Sequence, residues 1–398
     1  MTGERGSRTE RSSPRPAHLP LQGVRVVSVE QFGAGPYGTM YLAQLGADVI
    51  KIENPATGGD LARRTGPHLL GENDSQYFQG WNLNKRSVAL DIKSPQGRAA
   101  FERLVADADV VLNNLRGDQP ARLGLEYAAL SALNPAVVCV HISAYGRDNS
   151  RAAWPGYDYL MQAETGHMHL TGEPGTPPAR VGAPSIVDHT TGLTSIIGLL
   201  AALLRARETG QGCDVDTSLF DVTLHQLGYV ATWYLNEGHV PQRQPRSGHF
   251  SVAPVQTFPT SDGWIFVMCM TQKFWEALLE VLGRADLREM PEFRTAEARN
   301  SHRVRLTEVL DAEFRRRSTS EWLSLLQGVL PVAPVRGLAE ALDSDFLREA
   351  GMLAQVDHPS RPGLRLLASP LRFDGRRPPL RACAALGQDT DSILGDQP

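Results

Sequence analysis

The residues best suited to chemistry lie in "APSIVDHTTGL", Ala183 to Leu193, where Asp188 and His189 stand directly before the apolar run "TSIIGLLAALLRARETGQG". A carboxylate at that place has three uses. As a helix cap it would accept a hydrogen bond from an unpaired N–H of the first turn, the simplest role for an Asp there. Beside His189 it would belong to a metal site. As a nucleophile it would do covalent chemistry. A lone histidine is more often packing or support than a ligand, and the chain has no HExxH and no paired Asp/His spacing, so no metal is expected. On these residues alone, cap and nucleophile both stay open.

A second candidate is "GAGPYG", Gly33 to Gly38, which fits G-x-G-x-x-G. It follows a β-prone run and opens a helical pattern. Glu53 ends the next strand about 20 residues on, where a dinucleotide-binding unit keeps its ribose-binding acid. Gly33, Ala34 and Gly35 would let backbone N–H groups approach a phosphate. The same spacing serves a tight strand-to-helix turn with no ligand. Pro36 inside the motif and Asn54-Pro55 after the acid are less typical of NAD sites.

Both candidates need elements to hold them. "GVRVVSVEQF" is a short β-branched run and reads as a buried strand; "PYGTMYLAQLGA" has helical spacing; "DVIKIENP" is a second strand stopped by Asn54-Pro55. Strand, helix and strand then alternate through "SVALDI", the Ser94-capped "SPQGRAAFERLVADA", "DVVLNN" and "LNPAVVCVHISAYG", which predicts α/β architecture with a parallel, Rossmann-like sheet. The apolar helix after Asp188 is expected over 191–207, short of a membrane span of roughly 20 apolar residues and better suited to a core. "GQGCDVDTSLFDVTLHQ" reads as a strand and then a helix. Hairpin signals around Asp262-Gly263 start a smaller α+β domain.

With 398 residues the chain is long enough for two domains. The expected division is a disordered tail at 1–19, a large domain at 20–225, a small domain at 226–335, and a linker with C-terminal return at 336–398. The tail "MTGERGSRTERSSPRPAH" has no apolar core of a secretion signal. Four cysteines without CxxC spacing suit reduced thiols, and a net charge of -4 gives no global attraction to nucleic acid. A cytoplasmic protein with neither nucleic-acid nor membrane partner is expected.

Beyond single motifs, "LPLQGVRVVSVEQFGAGPYGTMYLAQLGADVIKIENP" resembles the opening of the family III CoA-transferases, which include formyl-CoA and carnitine CoA-transferases. The likeness continues in order through "NKRSVALDIKSPQG", "DVVLNNLRGDQPARLGLEY", "PGYDYLMQAETG", "RARETGQGCDVDTSLFD", "PVAPV" and "LGQDTDSIL". The alpha-methylacyl-CoA racemases share the fold. The resemblance implies an interlocked homodimer with CoA, rather than NAD, in the first domain. It implies no tightly bound cofactor: acyl-CoA is a substrate, and a carboxylic acid is the acceptor.

By the same resemblance Asp188 is the nucleophile, passing through an aspartyl anhydride and an aspartyl-CoA thioester. Asp158, in "PGYD", matches an acidic position beside the active site. CoA contacts are implied at Lys93, Asn114, Leu115, Arg122 and Leu123, with Arg63, Arg64 and Arg116 as further basic candidates. His189 is assigned to support or packing. In the racemases a His precedes the acid matching Asp158; here it is Tyr157, and a phenol with pKa near 10 is a poor proton-abstracting partner. A racemase or epimerase is therefore the alternative, and a non-catalytic CoA- or NAD-binding module a second one. Pro155 replaces a lysine of formyl-CoA transferase, and "RSGHFSVAPVQTF" replaces its glycine-rich loop. Arg246 and His249 in that stretch would instead meet an acceptor carboxylate, which fits a dicarboxylic substrate.

Overall fold

The computed structural model describes residues 19–182 and 184–395; the expected tail lies, apart from Leu19, outside the described residues. The chain opens with β1 (Arg25–Val29), α1 (Ala34–Gln44) and β2 (Asp48–Glu53), followed by α2 (Gln76–Asn82), β3 (Arg86–Ala89), α3 (Pro95–Ala106), β4 (Val110–Asn113) and β5 (Val138–Ser143). After α4 (Asp158–Glu164) come α5 (Ile186–Thr209) and β6 (Cys213–Ser218). The six strands form one sheet in the order β3-β2-β1-β4-β5-β6. Every pairing in it is parallel. This is the doubly wound arrangement that the alternating pattern predicts. Connections leave β1 and β4 in opposite directions, so a crevice opens between their C-terminal ends.

The strands are almost wholly apolar because both faces of a doubly wound sheet are covered. Val27, Ile50, Val88 and Val111 are buried against Phe101, Leu104 and Val105 of α3. The expected cap of α3 is present: the Ser94 hydroxyl accepts from Gly97 N–H at 3.0 Å.

Two compact units emerge. The first holds the described residues up to Pro155, Asp188–Ser218 and those from Met352 on; the second holds Gly156–Val187 and Leu219–Gly351. The second unit is thus larger than the expected 226–335, because the 156–187 excursion and the segment up to residue 351 group with it. It contains α6 (Leu219–His225), α7 (Tyr229–Glu237), the antiparallel strands β7 (Val255–Pro259), β8 (Trp264–Met268) and β9 (Val332–Pro334), and helices packed on that sheet. Asp262-Gly263 lies between β7 and β8, with Thr260 N–H bonded to Gly263 O at 2.9 Å. Its core gathers Phe258, Trp275, Leu278 and Phe314.

The C-terminal segment is stitched to the first unit. Asp389 accepts from Ser87 N–H at 2.9 Å, and Thr390 Oγ1 accepts from Ala89 N–H at 2.9 Å. All four cysteines are free. α5 is longer than expected and starts earlier, at Ile186 rather than 191. Its 24 residues are enough, by length and composition, to cross a membrane. Leu199, Leu203 and Ala206 are nevertheless buried within the protein.

Candidate functional site

Asp188 is the third residue of α5, so it lies in the first helical turn rather than before it. The side chain is half-buried. Its carboxylate lies against Gly33, the residue that starts α1. A Cβ placed on Gly33 would sit 2.3 Å from Asp188 Oδ2 and 2.4 Å from Cγ. Gly33 itself has no side chain with which to cap α1. The carboxylate therefore faces the start of α1 from within the first turn of its own helix, and both helix ends favour a negative charge there.

The other glycines of "GAGPYG" have equally local reasons. A Cβ on Gly35 would meet Asn114 Cβ and Cγ at 3.0 Å. A Cβ on Gly38 would meet Gly192 O at 2.9 Å, and one on Gly192 would meet Ala34 O at 2.5 Å. α1 and α5 thus cross backbone to backbone at Gly38 and Gly192. Gly192 is the crossing point. Glu53 is also engaged: it is 3% exposed and accepts from Arg63 Nε at 2.8 Å, Arg63 Nη2 at 2.7 Å and Ser87 Oγ at 2.6 Å. Burial alone would raise its carboxyl, but the Arg63 guanidinium and the Ser87 hydroxyl hold it down at about 2. The acid of the dinucleotide pattern is thus committed to an internal ion pair, although it also borders the crevice described below.

The β1–α1 turn is held from three sides. Asn114 clamps Gln31, accepting from its N–H at 2.9 Å and donating to its carbonyl at 2.7 Å. Phe32 has a left-handed φ of 57°, and its N–H is fixed by Asp60 Oδ1 at 3.1 Å. Such strain in a bulky residue persists only where the surroundings impose it. Beneath the turn lies a buried cluster of three carboxylates (Glu30, Glu53, Asp60) and three cations (Lys51, Arg63, Lys85). Lys51 pairs with Asp60 at 2.9 Å and Lys85 with Glu30 at 2.8 Å. Sequence reading missed this cluster, and Arg63, expected as a loop cation, is inside it with 0% exposure.

A crevice of about 300 Å³ lies at the C-terminal ends of β1, β2 and β3, lined among others by Gln31, Asp91, Lys93, Leu115, Gln119 and Leu123. Lys93, Leu115 and Leu123 come together there. Asn114 stands behind the crevice as the clamp on Gln31. Arg122 is not among the lining residues; its side chain is 69% exposed and pairs with Asp118 at 3.2 Å. Arg116 also turns to Asp118, at 3.4 Å, and Arg64 is spent on the carbonyls of Gly58 and Thr57.

His189 packs. Its ring stacks on Tyr37 with centroids 4.1 Å apart and tilts over Trp81 at 4.9 Å. Among the described residues no group of three or more His, Cys, Asp and Glu side chains is placed to hold a metal ion.

In the second unit Asp158 is 4% exposed and opens α4. One oxygen accepts from Gln162 Nε2 at 2.6 Å and the other from Val187 N–H at 2.7 Å. It therefore ties down an N–H of the first turn of α5, one residue before Asp188. Asp158 thus serves one of the unpaired N–H groups of that first turn from outside the helix. Tyr157 precedes it and is 64% exposed. Arg246 pairs through its guanidinium with Asp311. His249 Nδ1 accepts from Ser251 N–H at 3.2 Å, which leaves Nε2 to carry the proton; Nε2 is 3.4 Å from the Tyr229 hydroxyl. Burial, and then the charge of Arg303, push the His249 pKa down, so the ring is a neutral donor.

The family model of CoA-transferase family III matches residues 21–390. The succinate–glutarate CoA-transferase of Agrobacterium fabrum is 32% identical, over 91% of this chain and 93% of its own length. The succinyl-CoA:mesaconate CoA-transferase of Haloarcula marismortui is 34% identical, over 90% and 91%. Among solved structures, a CaiB/BaiF family protein from Brucella suis is 32% identical and superposes with a TM-score of 0.82 over 95% of this chain and 99% of that one.

Proposed function

The chain belongs to CoA-transferase family III, and we propose that it moves CoA between two small dicarboxylic acids with Asp188 as the covalent nucleophile. CoA transfer from an acyl-CoA to a carboxylate is the family's activity. The dicarboxylate class is supported by the relatives, whose names pair succinate with glutarate and succinyl-CoA with mesaconate. The single observation that carries the nucleophile is the Asp188 carboxylate lodged in the space that Gly33 leaves at the start of α1.

An Asp188 oxygen attacks the thioester carbonyl; the new C–O bond forms as the C–S bond breaks, and CoA leaves as thiolate. The product is a mixed anhydride. The thiolate then attacks the aspartyl carbonyl carbon, releasing the first acid and leaving an aspartyl-CoA thioester. The acceptor carboxylate attacks that thioester and regenerates thiolate and a second anhydride. Thiolate attack on the acceptor's acyl carbon yields the new acyl-CoA and frees Asp188. Overall one thioester is consumed and one is made, and no net proton is transferred. The helix ends around Asp188 would stabilise the oxyanions of the tetrahedral intermediates. The crevice with Lys93, Leu115 and Leu123 would take CoA, and His249 is kept as the candidate donor to an acceptor carboxylate.

A homodimer completes the reading. Ile197 and Leu204, both 71% exposed, give α5 an uncovered apolar face. The second unit separately holds an apolar cavity of about 640 Å³ lined by residues such as Leu224, Val230 and Leu235. Sedimentation at micromolar concentration tests for a dimer. Intact-mass spectrometry after mixing with succinyl-CoA tests the nucleophile: a CoA adduct on Asp188 is expected, with none in Asp188→Asn. Alpha-carbon deuterium exchange that survives Asp188→Asn would instead favour the racemase chemistry.

A further inference from the structure

We infer that Lys85 is a positioning residue for the nucleophile: its buried ammonium joins the two elements whose aromatic rings hold His189, and through His189 it sets where Asp188 stands. The inference rests on the reading of Asp188 as nucleophile.

Lys85 is 2% exposed and follows α2. Its Nζ donates to Glu30 Oε1 at 2.8 Å, Asn82 Oδ1 at 2.8 Å and Pro36 O at 2.9 Å, with Trp81 O at 3.4 Å. Pro36 lies in the first turn of α1, whereas Trp81 and Asn82 are the last residues of α2. A cation at a helix C-terminus meets the negative end of its dipole. One ammonium thus pins the end of α2 to the beginning of α1.

The next side chains along both elements form the clamp. Tyr37 follows Pro36, and its ring meets that of Trp81 edge-on at 5.6 Å. Between them they hold the His189 ring. His189 is the neighbour of Asp188, whose carboxylate fills the Gly33 space with no slack. A second route runs through Glu30, which also accepts from Thr39 Oγ1 of α1 at 2.8 and 2.9 Å. Without the ammonium, α1 and α2 lose their shared polar anchor. The clamp opens, and the carboxylate is free to drift from the oxyanion-stabilising helix end. Misplacement by about 1 Å costs about a hundredfold in rate.

The test uses the full chain with succinyl-CoA as probe. Lys85→Met leaves Glu30 buried beside only Lys51 at 3.7 Å, so that variant is open to misfolding. Glu30→Gln/Lys85→Met removes both charges and keeps the hydrogen bond to Thr39. Rapid quench with intact-mass detection reads the rate and the amplitude of the Asp188 adduct. The expected result is a rate lowered about ten- to a hundredfold, with adduct amplitude, melting temperature and KM for succinyl-CoA close to wild type. A merely structural role would lower amplitude and melting temperature together. An adduct rate within about threefold of wild type in a folded variant, or a rise in KM alone, overturns the inference. If wild-type protein forms no adduct on Asp188, the nucleophile reading itself falls and this one with it.

Discussion

The Gly33→Ala substitution isolates the feature on which the site depends. The added carbon would lie 2.3 Å from Asp188 Oδ2, 2.4 Å from Cγ and 2.9 Å from Oδ1. Carbon–oxygen contacts are comfortable near about 3.4 Å, so the carboxylate must retreat by about 1 Å. Gly33 has a φ of −91°, so no left-handed strain is added. The perturbation therefore falls on the carboxylate. A shift of that size predicts about a hundredfold slower adduct formation on Asp188. Overpacking adds a stability loss of about 1–3 kcal/mol. Lys93, Leu115 and Leu123 are untouched, so CoA affinity, read by calorimetry, stays within about threefold. Adduct kinetics with succinyl-CoA, followed by mass spectrometry, give the rate. A Gly33→Ala protein that forms its adduct as fast as wild type would refute the reasoning, because the carboxylate could not then be reacting from the place assigned to it.

Asp158→Ala removes the acceptor for Val187 N–H and should lower stability by about 1–2 kcal/mol, read by urea denaturation, while also slowing the adduct. An unchanged adduct rate would limit Asp158 to stability. The Glu53 carboxyl falls from an ordinary 4.5 to about 2 on folding. Its contribution is full above pH 4.5 and is lost as pH drops toward 2, so acid unfolding should show up to about 3 kcal/mol from this group. Glu53→Gln should flatten that part of the pH–stability curve, and an unaltered acid limb would contradict the assignment. His249→Gln should raise the KM for a dicarboxylic acceptor about tenfold with little effect on the acyl-CoA KM. Arg246→Met should leave the acceptor KM nearly unchanged because that guanidinium is occupied by Asp311; the opposite pattern would exchange their roles.

The sequence by itself determined the alternation of strands and helices. Periodicity reports which residues each element buries, and burial is decided over a few residues at a time. The strands ending at Val29, Glu53, Asn113 and Ser143 and the Ser94 cap were legible for that reason, and the ordered family motifs carried the activity. The glycines of "GAGPYG" announced that something comes close to that turn, but not what: the approaching groups are Asp188, Asn114 and Gly192, about 80 or more residues away in the chain. The same limit hid the ion cluster. Lys85 and Glu30 are 55 residues apart and meet only because α1, which follows β1, packs against α2. It also did not show which carboxylates Arg63, Arg246 and Arg122 pair with, since a positive charge in a loop looks the same whether it faces a ligand or a carboxylate. Tertiary structure settled these points because pairing depends on strand order and helix crossing, and no local pattern encodes either. It also brought two aspartates to one helix start: Asp158 accepts from Val187 N–H in α5, and the Asp188 carboxylate lies against Gly33 at the start of α1.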